Sequence, residues 1–355
     1  MSILRALGRL TEALEPMRAS LQTNVGKSQW KNAAVCAGNL SELELTLGIA
    51  RDAVHDAEQS VGFADRSGDE FQRMGNRTTL GDALHQAGRR EDAQAHFREA
   101  EKQQVVHQRQ YPLLYSLWRF RYCDLLLADP ERGAWQMVLN LKSQIQCLKL
   151  ESVCRKVEQR AAQTLKCAAG ARGVSLLDIA LDHLTLGRVA LYRALLTDSM
   201  TERGETLKVA RKKCTAAVDG LRRAGTSHHI PRGLLCRAKL RFVEGDANGA
   251  RADLDEAWQI TERGSMRLHR ADVHLHRARL FHGVTPYPWK SPKDDLAAAR
   301  KLIEECGYHR RDEELADAEK ALGRMALPWP TGVRPCRYVF LSSARSSSRG
   351  RCRSG

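Results

Sequence analysis

The chain has 355 residues, a formal net charge of +15, ten cysteines and an ordinary apolar content. This length is too great for one simple core, although a stack of repeats escapes that limit because each repeat contacts only its neighbours. No apolar run reaches the roughly 20 residues that span a bilayer, and the amino terminus lacks the basic-then-apolar design of a signal peptide.

The positive charge is unevenly distributed. Seven arginines and no acidic residue follow position 323, so subtracting 7 from 15 leaves +8 on the first 323 residues, where acids are interspersed. A protein that tracks a phosphate backbone needs a continuous basic stripe with stacking aromatics, and this pattern is not present. The cysteines lie far apart without a Cys-x-x-Cys pair, which favours buried thiols in a reducing, cytoplasmic environment.

Small residues recur at a spacing of 40 from the start of the chain. One set is Gly8, Gly48 and Gly88, and alanines follow each glycine by five positions at 13, 53 and 93. One more step lands on Ala128 and Gly133, in reversed order. A fixed spacing in this range predicts a stacked-repeat protein.

The first repeat, residues 1–27, is predicted to be truncated. If Gly8 ends a helix, Met1 falls halfway along that helix, whereas repeat arrays normally begin with a polar cap. We therefore expect the chain to be the carboxy-terminal part of a longer protein, or its translation to start upstream.

The clearest hairpin lies in the second predicted segment, residues 28–173. Leu80 and Leu84 share a helical face, and Gly81 leaves room there for a neighbouring helix. Gly88 then ends the helix in the left-handed conformation that glycine favours. Ala93, Phe97 and Ala100 follow at helical spacing on a second helix, so the unit is a helical hairpin.

These residues carry a family resemblance. Leu80-Gly81 followed by Ala93, Phe97 and Ala100 resembles the tetratricopeptide repeat, in which Leu-Gly precedes Ala-x3-Phe-x2-Ala. Arg77 stands where that family usually has Trp, and the spacing is 40 rather than 34, which keeps HEAT and armadillo repeats as the alternative. The resemblance implies an all-α fold, an α-solenoid of stacked antiparallel helix hairpins.

The rest of the chain continues this organisation. Tyr115, Trp118 and Tyr122 share a helical face that serves either packing between repeats or aromatic ligand binding. A glycine-bounded break at Gly173 separates the amino-terminal hairpins from carboxy-terminal hairpins over 174–326, which end in a closing helix. Residues 327–355 are rich in Arg and Ser and are predicted to be disordered, either as a basic tail or as a non-native end.

In tetratricopeptide arrays the first helix of each hairpin lines a concave groove that holds a partner. Counting from the Leu-Gly positions, the resemblance places an acidic set in the amino half and a basic set in the carboxy half, a polarity that could orient an extended peptide. The implied partner-binding residues are Glu42, Thr78, Asp82, His85, Arg188, Lys239, Phe242, Arg279 and His282.

Catalytic and metal signatures are lacking in the sequence. There is no nucleophile elbow or dinucleotide fingerprint, and His274 and His276 point apart on their helix, so we predict no enzyme, no cofactor and no metal. The family's carboxylate clamp for chaperone tails is also unmatched.

The predicted function is a non-catalytic scaffold for a protein or peptide, similar to the repeat arrays at the carboxy end of large bacterial signalling proteins. The alternatives are a sensor portion of such a protein or a basic helical solenoid that associates with nucleic acid, the latter being less favoured. Self-association through the exposed array ends is a further possibility, and no membrane association is predicted.

Overall fold

The computed structural model describes residues 9–139, 141, 147–170 and 175–325. Within them the chain forms two short 3₁₀ turns and fifteen α-helices, with no strand. The helices are α1 (Leu10–Gly26), α2 (Trp30–Leu47), α3 (Ala50–Ser67), α4 (Glu70–Gln86), α5 (Arg90–His107), α6 (Ser116–Leu126), α7 (Ala128–Val138), α8 (Cys147–Gly170), α9 (Leu176–Leu196), α10 (Met200–Arg223), α11 (Ile230–Val243), α12 (Ala247–Arg263), α13 (Arg267–Phe281), α14 (Pro292–Cys306) and α15 (Asp312–Met325).

The helices pack in chain order. The most extensive contacts join α2 to α3, α4 to α5, α9 to α10, α11 to α12 and α13 to α14, and each of these pairs also contacts the helix that follows it. The predicted all-α solenoid of helix hairpins is therefore confirmed. The predicted tail, 327–355, lies outside the described residues.

Glycines at the predicted positions determine how the hairpins turn and cross. Gly48 and Gly88 follow α2 and α4 in the left-handed conformation, with φ of +83° and +81°. Gly81 lies where α4 crosses α5, and a Cβ atom added to it would lie 2.9 Å from the ring of Phe97. Because Phe97 is fully buried, a larger residue at position 81 would force the two helices apart.

The next step of 40 also falls on matching places of a hairpin, with the order of the two small residues reversed. Ala128 begins α7 directly after the break at Leu127, and Gly133 lies buried inside α7, as Ala93 does inside α5. The pair α6 and α7 differs from the other hairpins in length, because each of its helices has only 11 residues.

The last helices return to the first ones, so the array closes on itself. α13 contacts α2, and Cβ atoms added to Gly48 and Gly88 would lie 2.7 Å from Arg267 Cβ and 2.8 Å from His309 Cβ. On the same side, Arg132 of α7 donates to Asp317 of α15 over 2.8 Å. As a result, the inner face of the array is enclosed inside the molecule instead of lining an open groove.

The close crossing at Gly81 predicts opposite effects for the same substitution at two helical glycines. Gly81→Ala is expected to lower the free energy of unfolding by about 1–3 kcal/mol, because the methyl group meets the buried Phe97 ring. Gly62→Ala, at an exposed position of α3 with nothing within 4 Å, is expected to raise it by about 0.5–1 kcal/mol. Urea unfolding of both variants measures the difference, and equal effects would contradict the crossing geometry.

Candidate functional site

Six inner helices each contribute one charged residue to the centre of the molecule. Each of these residues directly follows a small buried residue of its helix: Ser41, Gly81, Cys123, Gly187, Ala238 or Ala278. At Gly81 and Gly187 this small residue is where the helix packs closely on its neighbour, against Phe97 and Cys214. One step along a helix turns the side chain by about 100°, away from such a crossing. We call this set the inner ring, and its members are Glu42, Asp82, Asp124, Arg188, Lys239 and Arg279.

The inner ring surrounds a cavity of about 110 Å³, the central cavity, which all of its members except Arg279 line. A second cavity of about 270 Å³, the seam cavity, lies where the end of the array meets its beginning, and it is lined by His85, Arg90, Asp129 and Glu314 among others. Arg310 lines both cavities. The place where the array closes therefore lies beside the charged residues of the inner ring.

Glu131 of α7 is the acceptor at the middle of the charge network. Its carboxylate lies 3.4 Å from Arg188, 3.7 Å from Lys239, and 3.3 Å from both Arg310 and Arg311. Burial alone would raise the pKa of this carboxyl group, but the four cations outweigh it and hold the pKa well below its usual range. Glu131 is therefore a buried carboxylate that stays charged.

Asp124 of α6 is the second shared acceptor. Arg188 donates to it over 2.6 Å, and Arg310 donates to both of its carboxylate oxygens. Burial opposes ionisation here too, yet Arg310 and Arg188 keep the pKa of Asp124 well below its usual range. Asp124 and Glu131 together join α9 to the 3₁₀ turn at His309–Arg311.

Further ion pairs neutralise the remaining inner charges. Arg279 donates to Glu314 over 2.7 Å, and Arg311 donates to Asp272 over 2.8 Å. Arg121 donates to Glu42 and lies 3.4 Å from Asp82. The acidic amino half and the basic carboxy half of the predicted groove are therefore each balanced by residues outside the predicted set.

The structure brings four of the nine predicted site residues together at the central cavity: Glu42, Asp82, Arg188 and Lys239. Arg279 belongs to the same inner ring but is buried in its pair with Glu314. His85 lines the seam cavity instead, and its Nε2 lies 3.9 Å from Asp124. Whether these residues bind a partner stays a prediction.

The other three predicted residues line neither of the two cavities. Thr78 is fully buried, and its hydroxyl donates to the carbonyl oxygen of Gly75 over 2.8 Å. Phe242 packs edge-on against Phe281, with ring centroids 5.0 Å apart. His282 is half-buried at the end of α13, with its Nδ1 2.9 Å from the Arg279 carbonyl oxygen.

Sequence reasoning missed the residues that complete the site, chiefly Asp124, Glu131, Arg310 and Arg311. A signal existed for Asp124, because Cys123-Asp124 occupies the same helical place in α6 as Gly81-Asp82 does in α4. Cysteine in place of glycine, together with a step of 42 rather than 40, concealed this equivalence. The two arginines belong to the 3₁₀ turn His309–Arg311, which lies between the helix that ends at Cys306 and the helix that begins at Asp312.

Lys239 and His276 both line the central cavity, and burial lowers the pKa of each side chain. The ammonium group of Lys239 lies 4.1 Å from the ring centroid of Trp135 and 4.9 Å from that of Tyr192. Burial lowers the pKa of Lys239 to about 8, although Glu131 opposes the shift. Burial and then Lys239 lower the pKa of His276 to about 3, and its ring bonds to the Asp272 carbonyl oxygen over 2.8 Å.

The charged and polar side chains that line the central cavity can form hydrogen bonds and ion pairs with polar groups. Among the described residues, no group of three or more His, Cys, Asp or Glu side chains could hold a metal ion. The described helices also include none with the length and hydrophobicity needed to cross a membrane. In comparisons with known proteins, no family model and no curated protein match the chain.

The sharing of Glu131 by four cations predicts a large effect of removing its charge. Glu131→Gln is expected to lower the free energy of unfolding by about 3–5 kcal/mol, because it leaves buried cations without their counter-ion. Glu319→Gln removes the exposed partner of Arg300 and is expected to cost less than about 1 kcal/mol. Urea unfolding at neutral pH tests both, and a small effect of Glu131→Gln would show that the network contributes little.

The low pKa of His276 predicts a stability that falls in acid. In the unfolded chain this imidazole takes up a proton below about pH 6.5, whereas in the folded protein it does so only near pH 3. The unfolded state therefore binds more protons within this window, and stability declines as the pH falls through it.

His276→Gln is expected to reduce the loss of stability between pH 7 and pH 5 by about 2 kcal/mol relative to the wild type. His55→Gln, at an exposed position of α3, serves as the control and is expected to follow the wild-type pH dependence. Thermal unfolding across this pH range measures the difference, and parallel curves for all three proteins would contradict the assignment.

Proposed function

We propose that the chain is a non-catalytic binding module of the tetratricopeptide kind, which receives a protein or peptide partner at its central cavity. The observation that carries this proposal is the inner ring, since six successive inner helices bring a charged residue to one place. Five of the six occupy positions that the family resemblance assigns to partner binding. Charged groups that are expensive to bury are arranged at one common site in the array.

The closure of the array favours insertion of one group of the partner over the binding of a long extended peptide. A cavity of about 110 Å³ holds several waters or one small side chain or chain end. Thr46, Leu117 and Arg232 line this cavity and are half-buried, so they form its mouth. The partner would insert one polar group past this mouth and leave the rest of its surface outside.

The charge pairing weighs against the nucleic-acid alternative. The inner cations Arg188, Lys239 and Arg279 each lie next to a buried carboxylate, so they are poorly placed to neutralise phosphates. A sensor role within a longer signalling protein remains part of the proposal. It rests on the resemblance and on the closeness of the central cavity to the seam where the array closes.

Blocking the mouth of the cavity tests the proposal. A photo-crosslinking amino acid at Leu117 is expected to capture a partner in cells, and the same group at exposed Val209 on α10 is not. With the captured partner purified, Thr46→Arg is expected to weaken binding by about ten-fold or more, because the long side chain fills the mouth.

Thr23→Arg is the matched control, since Thr23 is exposed on α1 and makes the same hydroxyl bond to a carbonyl four residues earlier as Thr46 does. Equal binding by the two variants would contradict the proposal. A steep salt dependence of RNA or DNA binding that survives removal of residues 324–355 would support the nucleic-acid alternative instead.

A further inference from the structure

One corner of the central cavity is lined by three histidines and an arginine. His228 and His229 belong to the 3₁₀ turn before α11, and Arg232 lies in the first turn of that helix. His269 of α13 faces them across the corner, within reach of the His228 backbone, and all four side chains line the cavity. The amino end of α11, which bears a partial positive charge, begins at the same corner.

Two polar atoms at this corner are buried without a partner. Nδ1 of His229 has no hydrogen bond among the described residues, although the residue is only 7% exposed. Nε of Arg232 is likewise buried and unbonded, and no described carboxylate lies within ion-pair distance of its guanidinium. The Arg232 guanidinium lies over the ring of Phe120, with 5.5 Å between them. Buried polar atoms in native proteins nearly always have a partner, so this corner is built to receive one.

The electrostatics of the corner favour a negative partner. Burial, followed by His228 and Arg232, lowers the pKa of His229 well below its usual range. Burial, followed by Arg232 and His228, lowers the pKa of His269 to about 3. Three carboxylates of the cavity are engaged elsewhere, because Glu42 and Asp82 pair with Arg121 and Asp272 pairs with Arg311. The lowered pKa values leave His229 and His269 neutral near pH 7, so the positive charge at this corner that lacks a described carboxylate partner is that of Arg232.

We propose that Arg232, His229 and His269 form a binding site for the oxyanion of a ligand, either a carboxylate or a phosphate. The guanidinium of Arg232 offers planar, two-point hydrogen bonding that matches both groups. Nδ1 of His229 supplies a further donor, and the start of α11 favours negative charge. This inference rests on the proposed function in one respect, namely that the ligand enters the central cavity.

The test uses the full chain and two simple probes, inorganic phosphate and acetate, with ionic strength held constant by sodium chloride. Binding is followed by NMR of protein with ¹⁵N-labelled histidines, in which His229→Gln identifies the His229 signals by their loss. Wild-type protein is expected to show a saturable shift of the His229 Nδ1 signal with at least one probe. Tighter binding of phosphate would identify a phosphate-bearing ligand, and tighter binding of acetate would identify a carboxylate such as a peptide carboxy terminus.

Three arginine variants give the comparison. Arg232→Gln is expected to weaken binding by about ten-fold or more, and Arg232→Lys by a smaller factor, because lysine keeps the charge but not the two-point contact. Arg222→Gln removes the same charge from the exposed surface of α10 and is expected to leave the affinity unchanged. Circular dichroism checks that each variant is folded, and if Arg232→Gln is not, Arg232→Lys supplies the comparison.

Failure of this inference is distinguishable from failure of the proposed function. If folded wild-type protein shows no saturable shift, or if both Arg232 variants bind as the wild type does, the oxyanion site is refuted. A partner captured at Leu117 would then still support the cavity as a binding site. Conversely, oxyanion binding that depends on Arg232, without any partner captured at Leu117, would support the oxyanion site and refute binding of a protein partner at the cavity.

Discussion

The structure depends on the pairing of buried charges where the carboxy-terminal end of the array packs against its middle. Asp124 and Glu131 come from the short helices α6 and α7, and they face Arg310 and Arg311 from the turn before α15. Each of these ions has lost most of its water, a cost of several kcal/mol that only near-complete pairing offsets. The pairing is possible only when the array is closed, so the charge network and the closure require one another.

This constraint explains why the interior of a helical-repeat protein is so polar. The hydrophobic contacts lie between neighbouring helices, and they also include a cluster that joins Leu45 and Leu84 to Leu275 and Ile303 across the seam. Such contacts favour compaction but specify geometry weakly, whereas an arginine with two carboxylate partners accepts few arrangements. In our interpretation the apolar contacts across the seam stabilise the closed form, and the ion pairs determine how its two sides are aligned.

The helices could be predicted from the sequence because their signals are local. The predicted hairpin around Gly88 is observed as α4 and α5, and the predicted closing helix of the carboxy-terminal hairpins is observed as α15, since periodic apolar residues and flanking residues mark these helices. The inner position after the small crossing residue could also be read from the repeat pattern, and Asp82, Arg188 and Lys239 at such positions line the central cavity. What could not be predicted was which side chains would face them, because contacts between distant segments leave no periodic signal.

The closure of the array shows that limit most clearly. Nothing near Gly88 in the sequence indicates that His309 will pack against it, and an open arc satisfies the same helix patterns. The predicted concave groove consequently became a closed interior in which Arg279 is paired and Thr78 is covered. The corner formed by His229, Arg232 and His269 matches none of the groove positions that the family resemblance implies. Only its place beside the central cavity distinguishes it from an ordinary helix start.

The most direct test of the closed, charge-lined array is a distance measurement across the seam in solution. Spin labels carried by unnatural amino acids at exposed Glu91 and Glu313, which avoid the ten cysteines, report on the two sides of the seam cavity. Electron–electron double resonance is expected to give one short, narrow distance distribution that broadens and lengthens in Glu131→Gln. A broad, long distribution in the wild-type protein would show that the array is open and would contradict the account.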